Sequence, residues 1–103
     1  MKKALLKRVD LIFRDEKDQE QILKKTLDKT NEQIINEMMS AGLKGRGGAG
    51  FPTGLKWKLA ADEQADEKFI ICNADEGEPG TFKDREILTE VPHKVLTGMA
   101  VCA

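Results

Sequence analysis

Gly45-Arg46-Gly47-Gly48-Ala49-Gly50-Phe51-Pro52-Thr53-Gly54 places five of the chain's nine glycines within ten residues. Inside a helix or strand each glycine costs roughly 0.5–1 kcal/mol relative to alanine, so the stretch reads as a loop. Glycine removes the Cβ from the approach path and lets backbone lie flat against a partner surface. Open N–H groups in such a loop suit a phosphate or a planar nucleotide ring. Arg46 and Lys56 flank it, and cations beside open amides complement phosphate or an electron-rich ring edge. The bland alternative is a tight link between two helices, for which fewer glycines suffice.

The flanks narrow the choice. Upstream, Thr30 with Gln33 three residues on has the pattern of a capping box. Ile34, Ile35, Met38 and Met39 then share one helical face, and Gly42 stands where a left-handed C-terminal residue belongs. Core packing is the ordinary role of the two methionines. Downstream, Leu55–Ala61 reads as a short helix. Gly45–Gly50 therefore satisfies G-x-G-x-x-G in letters only. The dinucleotide fingerprint needs a strand before it and a helix directly after it. Here a helix precedes, and Pro52 and Gly54 interrupt the segment after it. No Gly-Lys-Ser/Thr closes the loop, which removes the P-loop as well.

A polar link, Asp62–Glu67, leads to Lys68-Phe69-Ile70-Ile71-Cys72, an apolar run bounded by turn signals and expected to be a buried strand. It ends in Asn73-Ala74-Asp75-Glu76-Gly77-Glu78-Pro79-Gly80-Thr81. Asp75, Glu76 and Glu78 thus fall just past a strand end, where ligands gather in α/β sheets. A calcium loop of the EF-hand kind wants glycine at its sixth position, where Glu78 stands. An acid/base carboxylate pair finds no other support in the chain. Carboxylates that accept hydrogen bonds from ribose or ribityl hydroxyls fit best beside an upstream glycine loop. A solvated acidic turn is the bland reading, and Pro79-Gly80 near Asn73 counts against it by implying a shaped backbone.

Lys83–Glu90 reads as a short helix or turn. From Pro92 a new helix starts with proline in its first turn, and Val95, Leu96, Met99 and Ala100 form its apolar face. No cap follows before Ala103, so the expectation is a fragment, or a subunit completed by another chain. Leu96 and Met99 would then be uncovered and the chain unstable alone. At the other end, residues 4–13 are expected to be extended, with Val9, Leu11 and Phe13 alternating. Residues 14–20 are a charge run, and Ile22, Leu23 and Leu27 share a helical face within 18–27. The order of elements predicts α/β architecture, with α+β as the alternative. Residues 1–30 form an N-terminal segment with a helix, and 31–103 a partial ligand-binding domain.

At 103 residues there is room for one small domain. With 34% charged residues and a formal net charge of −1, bulk attraction to nucleic acid or anionic membrane is not expected. The apolar stretch after the basic start is too short for a signal peptide or a membrane span, so the cytoplasm is the expected compartment. Cys72 and Cys102 make no spacing motif and sit in apolar runs, which suggests buried thiols in a reducing compartment. His93 is the single histidine and reads as a structural or surface residue. With no catalytic triad and no metal-ligand cluster visible, redox chemistry would belong to a bound cofactor.

Two long stretches carry a resemblance. Gly42-Leu43-Lys44-Gly45-Arg46-Gly47-Gly48-Ala49-Gly50-Phe51-Pro52-Thr53-Gly54-Leu55-Lys56-Trp57 resembles a signature of the flavin-binding, NADH-oxidising subunit of respiratory complex I. Asn73-Ala74-Asp75-Glu76-Gly77-Glu78-Pro79-Gly80-Thr81-Phe82-Lys83-Asp84-Arg85 is similar to the second signature of that family. Pro92-His93 with Gly98-Met99 resembles a shorter third. The same module occurs in NAD(P)-linked hydrogenases and formate dehydrogenases.

The resemblance implies that the loop at Gly45, Arg46, Gly47, Gly48 and Ala49 lies against FMN and the incoming dinucleotide. It implies that Phe51 stacks near the adenine of NADH and that Lys56 reaches the flavin. Asn73, Asp75 and Glu76 match FMN-binding positions, and Glu78 a carboxylate on the nicotinamide side. Hydride would pass from NAD(P)H to FMN and electrons onward through iron–sulfur clusters. Family members are several times longer and carry a four-cysteine 4Fe-4S domain. Two cysteines cannot supply four cluster ligands, so that cluster is expected outside this stretch. The implied partners are the rest of the flavoprotein subunit and an iron–sulfur subunit, with neither nucleic acid nor membrane insertion. A non-catalytic split subunit that docks to a partner chain is the alternative, and a hydrolase using Asp75 and Glu78 a distant third.

Overall fold

The computed structural model describes residues 12–14 and 18–103. Five helices follow one another: α1 (Gln19–Leu27), α2 (Asn31–Ala41), α3 (Thr53–Asp62), α4 (Lys83–Glu90) and α5 (Pro92–Cys102). The segment expected to be extended over residues 4–13 lies outside the described residues except for a bend at Ile12 and Phe13, and most of the charge run 14–20 is likewise outside them or enters α1.

α2 forms where the sequence marks it. Thr30 is extended (φ −72°, ψ 157°), its hydroxyl accepts the Gln33 N–H at 3.2 Å, and the Gln33 side chain accepts the Thr30 N–H at 2.9 Å. Two of the orphan amides at the helix start are thereby satisfied. Gly42 ends the helix in the left-handed region at φ 67°, its N–H bonded to the Met39 carbonyl. α3 starts two residues earlier than expected. Pro52 is extended and lies outside the helix, while Thr53 and Gly54 form its first turn. Proline therefore precedes this helix rather than interrupting it.

Gly54 explains why the helix accepts a glycine. A Cβ there would stand 2.6 Å from the Met39 backbone nitrogen and 2.9 Å from its Cα. α2 and α3 pack against each other at this point, and Gly54 is buried. Ile34, Ile35 and Met38 are half-buried on the face expected for them.

α5 packs against both α1 and α4. Pro92 is its first residue, as the missing N–H of proline favours. Val91 at the α4–α5 elbow is 5% exposed, the one buried hydrophobic side chain among the described residues. The Lys94 ammonium bonds the Ile12 carbonyl at 2.8 Å and so ties residues 12–14 to α5. Leu96 is 65% exposed, and Met99 is half-buried.

The expected strand at 68–72 is corrected. Among the described residues there is no strand, and the single antiparallel bridge joins Lys44 to Pro52. Phe69 and Ile71 are 77% and 82% exposed. A strand is defined by backbone hydrogen bonds to neighbours, and no second strand lies beside this run in the described residues. The α/β expectation accordingly finds only its helices here. Cys72, expected to be buried with this run, is exposed, and Cys102 is half-buried on α5.

Two outcomes test this packing. Ala at position 54 would overpack the helix contact at a cost of about 1–3 kcal/mol. Amide exchange across α2 and α3 should accelerate in G54A, whereas G48A, which meets nothing within 4 Å, should leave it unchanged. Burial holds the Cys102 thiol above the ordinary cysteine range, so at pH 8 a disulfide reagent should modify exposed Cys72 well before Cys102.

Candidate functional site

The glycine loop is a projecting tip on a pinned neck. The Gly45 N–H donates to the Phe51 carbonyl and the Thr53 N–H to the Leu43 carbonyl, both at 2.9 Å. Gly50 turns the chain back at φ 72°. Between these bonds, none of the N–H groups of Arg46 to Gly50 donates to a backbone carbonyl among the described residues. Arg46, Gly47, Gly48 and Ala49 are all exposed. A run of exposed amides without backbone partners, with an arginine among them, suits an anion or a flat polar ring.

The acidic loop is shaped by three local bonds. The Asn73 Oδ1 accepts the Asp75 N–H at 3.3 Å, an Asx-type turn. Thr81 N–H donates to the Glu78 carbonyl at 3.2 Å, with Pro79 second and Gly80 third in the turn at φ 80°. Proline followed by a positive-φ glycine is the requirement of a type II turn. Glu76 reaches farthest, its Oε1 accepting the Asp84 N–H in the first turn of α4. The N-cap of that helix is Phe82, which has no side chain able to do so.

The two loops meet. Gly47 faces Asp75, Glu76, Gly77, Glu78, Thr81, Lys83 and Asp84 across a cavity of about 150 Å³. Of the expected site residues, Gly47, Asp75, Glu76 and Glu78 line it. Gly45, Arg46, Gly48 and Ala49 stand on the same loop outside the lining, as do Asn73 at the acidic loop's start, Phe51 (51% exposed) and exposed Lys56 on α3. Gly77, Thr81, Lys83 and Asp84 escape sequence reasoning as site residues, although each lies inside the quoted 73–85 stretch. Lys83 is bonded to the Asp84 carboxylate at 2.9 Å. That bond, with the fields of Glu76 and Glu78, holds its ammonium above the ordinary lysine range.

Four carboxylates and one ammonium make a lining suited to hydroxyl donors. Phosphate would be repelled there and would be better placed at the amides of the glycine tip. Small-molecule sites usually enclose about 300–1,000 Å³, and this cavity of about 150 Å³ falls below that range. A second, larger cleft of about 570 Å³ lies between Ile12, Phe13, Phe82, Ile87 and Glu90, with Lys83 common to both. No local pattern of residues marks that cleft, because residues 12–13 reach α4 only through the fold. Among the described residues there is no group of His, Cys, Asp and Glu able to hold a metal. His93 is exposed, and no helix among them is long and apolar enough to cross a membrane.

Residues 38–103 match the Nuo51 FMN-binding domain, and the chain belongs to that family. Among its relatives, the NAD-reducing hydrogenase HoxS subunit alpha of Cupriavidus necator is 50% identical over 93 residues, 90% of this chain and 15% of that protein. A NADH-quinone oxidoreductase subunit of Escherichia coli is 52% identical over 73 residues, 70% of this chain and 16% of that one. The NADP-reducing hydrogenase subunit HndC of Solidesulfovibrio fructosivorans is 48% identical over 79 residues, 77% and 16%. The chain thus spans 15–16% of the length of these relatives.

Gly50 and Gly80, two of the three positive-φ glycines among the described residues, are the weak points of the loops. An L side chain in that region costs roughly 1–2 kcal/mol. G50A should therefore loosen the Gly45 amide and G80A the Thr81 amide, each read as faster hydrogen exchange at that amide alone.

Proposed function

We propose that this chain supplies one wall of the FMN and NAD(P)H site of a flavoprotein oxidoreductase subunit. The observation that carries the reading is the meeting of Gly47 with Asp75, Glu76 and Glu78 across one cavity. Residues 31–103 form the partial FMN/NADH-binding domain. Open amides at Gly45–Ala49, with Arg46, face the phosphate or ring of the ligand, and Asp75 and Glu78 accept from its hydroxyls. Phe51 and Lys56 complete the approach from the α3 side. When bound, FMN supplies hydride acceptance and one-electron release, and the chain's own residues hold and orient it.

Taking hydride from NAD(P)H and passing electrons to iron–sulfur clusters are activities of the completed subunit. Its partners are the remainder of the flavoprotein and an iron–sulfur subunit, and its compartment is the cytoplasm. With the rest of the domain in place, residues 68–72 pair as a strand and the architecture becomes α/β. A second reading, a docking module completed in trans by a partner chain, draws its support from the exposure of Phe69 and Ile71.

Residues 31–103, placed in the Escherichia coli relative in exchange for its matching segment, test the main reading. The chimera should retain FMN and reduce ferricyanide with NADH. Gly47→Val, which places branched carbons at the loop tip, should lower flavin affinity at least tenfold without unfolding the chimera. A folded chimera without flavin, or a Gly47→Val variant that binds it normally, would refute the proposal.

A further inference from the structure

We infer that Glu76 is a positioning residue, one that acts on the ligand through the loop it anchors. The inference rests on the proposed FMN site and assigns a role within it. Its Oε1 accepts the backbone N–H of Asp84, eight residues on, at the second position of α4. The first N–H groups of a helix lack intrahelical partners, and this helix has phenylalanine at the cap position where serine, threonine, asparagine or aspartate would serve. Glu76 supplies the missing acceptor from outside the helix.

Burial separates it from its neighbours. Glu76 and Asp84 are half-buried, whereas Asp75 and Glu78 are exposed. The carboxylate bonded to α4 is thus the less exposed one, while Asp75 and Glu78 stand open at the cavity they share with it. The bond closes the segment 76–84 at its base, and the turn at Glu78–Thr81 folds it in the middle. Both closures restrain the backbone around Glu78, and the longer one begins at the residue after Asp75. A carboxylate at the positive end of a helix dipole is also favoured over a neutral acceptor there. Without the Glu76–Asp84 bond the acidic loop would hang from its two ends only.

The role makes separable predictions in the segment-exchanged subunit. Glu76→Ala removes the acceptor and should lower flavin content at least tenfold. Glu76→Gln keeps an oxygen for the Asp84 N–H and should hold flavin within twofold of the unsubstituted chimera. Phe82→Asp, which caps α4 without tethering residue 76, should leave the flavin low when added to Glu76→Ala. Equal loss in the Gln and Ala variants, or full recovery on adding Phe82→Asp, would overturn the assignment.

The Asp84 amide gives a readout that does not depend on ligand. It should be protected from exchange in the chimera and in Glu76→Gln, and lose protection in Glu76→Ala. Unchanged protection in the Ala variant would sink the inference whatever the flavin content. If the unsubstituted chimera lacks flavin, the function proposed above fails, while this amide still reports on the anchor.

Discussion

The close approach of Gly54 to the Met39 backbone sets where the glycine loop can go. α2 and α3 meet at a distance that admits no Cβ, and the eleven residues between them, 42–52, must leave one helix and enter the other from that contact. Gly42 in the left-handed region starts the excursion, and the bonds between Leu43 and Thr53 and between Gly45 and Phe51 zip its neck. The tip is what remains once the neck is closed. Among the described residues the amides of Arg46 to Gly50 meet no backbone carbonyl, and the helices on either side fix both ends of the loop. A packing contact thereby leaves exposed backbone at a tip a few residues away.

The second loop reaches its position by a different route. It has no helix pair to seat it, and its approach to the Gly47 tip depends on α4. The Asx turn at Asn73, the type II turn at Pro79-Gly80 and the Glu76 anchor act in series along the segment 73–84. Each is a single hydrogen bond, with a net worth of about 1 kcal/mol for the two turns and about 1.5–3 kcal/mol for the bond to the Glu76 carboxylate. A loop held by such increments adjusts to a ligand more readily than one seated on packed helices. The cavity thus has one stiff side and one compliant side.

Much of this was legible in the sequence, and the reasons differ by element. The capping box at Thr30 and Gln33, the C-terminal Gly42 and the first-turn Pro92 are local chemistry, which is written in a few neighbouring letters. The Gly54 contact was legible only as a glycine, since its purpose lies across the helix interface at Met39. The run Phe69–Cys72 has the composition of a strand, but a strand requires a neighbour, and none lies in the described residues. Composition reported what that run could become, and the fold available to it reports what it is. The meeting of Gly47 with Asp75 and Glu78 rested on analogy between motifs. Nothing in their spacing requires it.

Charge divides the two walls. Arg46 accompanies the open amides, while the facing loop gathers Asp75, Glu76, Glu78 and Asp84 around Lys83. A ligand with an anionic group at one end and hydroxyls at the other would be oriented by that polarity alone, since reversal would set anion against carboxylate. At about 4 Å and an effective dielectric near 20, such a reversal is on the order of several kcal/mol. Lys83 moderates the acidic side without inverting it, because its ammonium is already committed to Asp84 at 2.9 Å. Orientation of such a ligand would therefore depend on the two loops together. The close contact at Gly54 places the cationic side of that pair, and the α4 anchor at Glu76 places the acidic side.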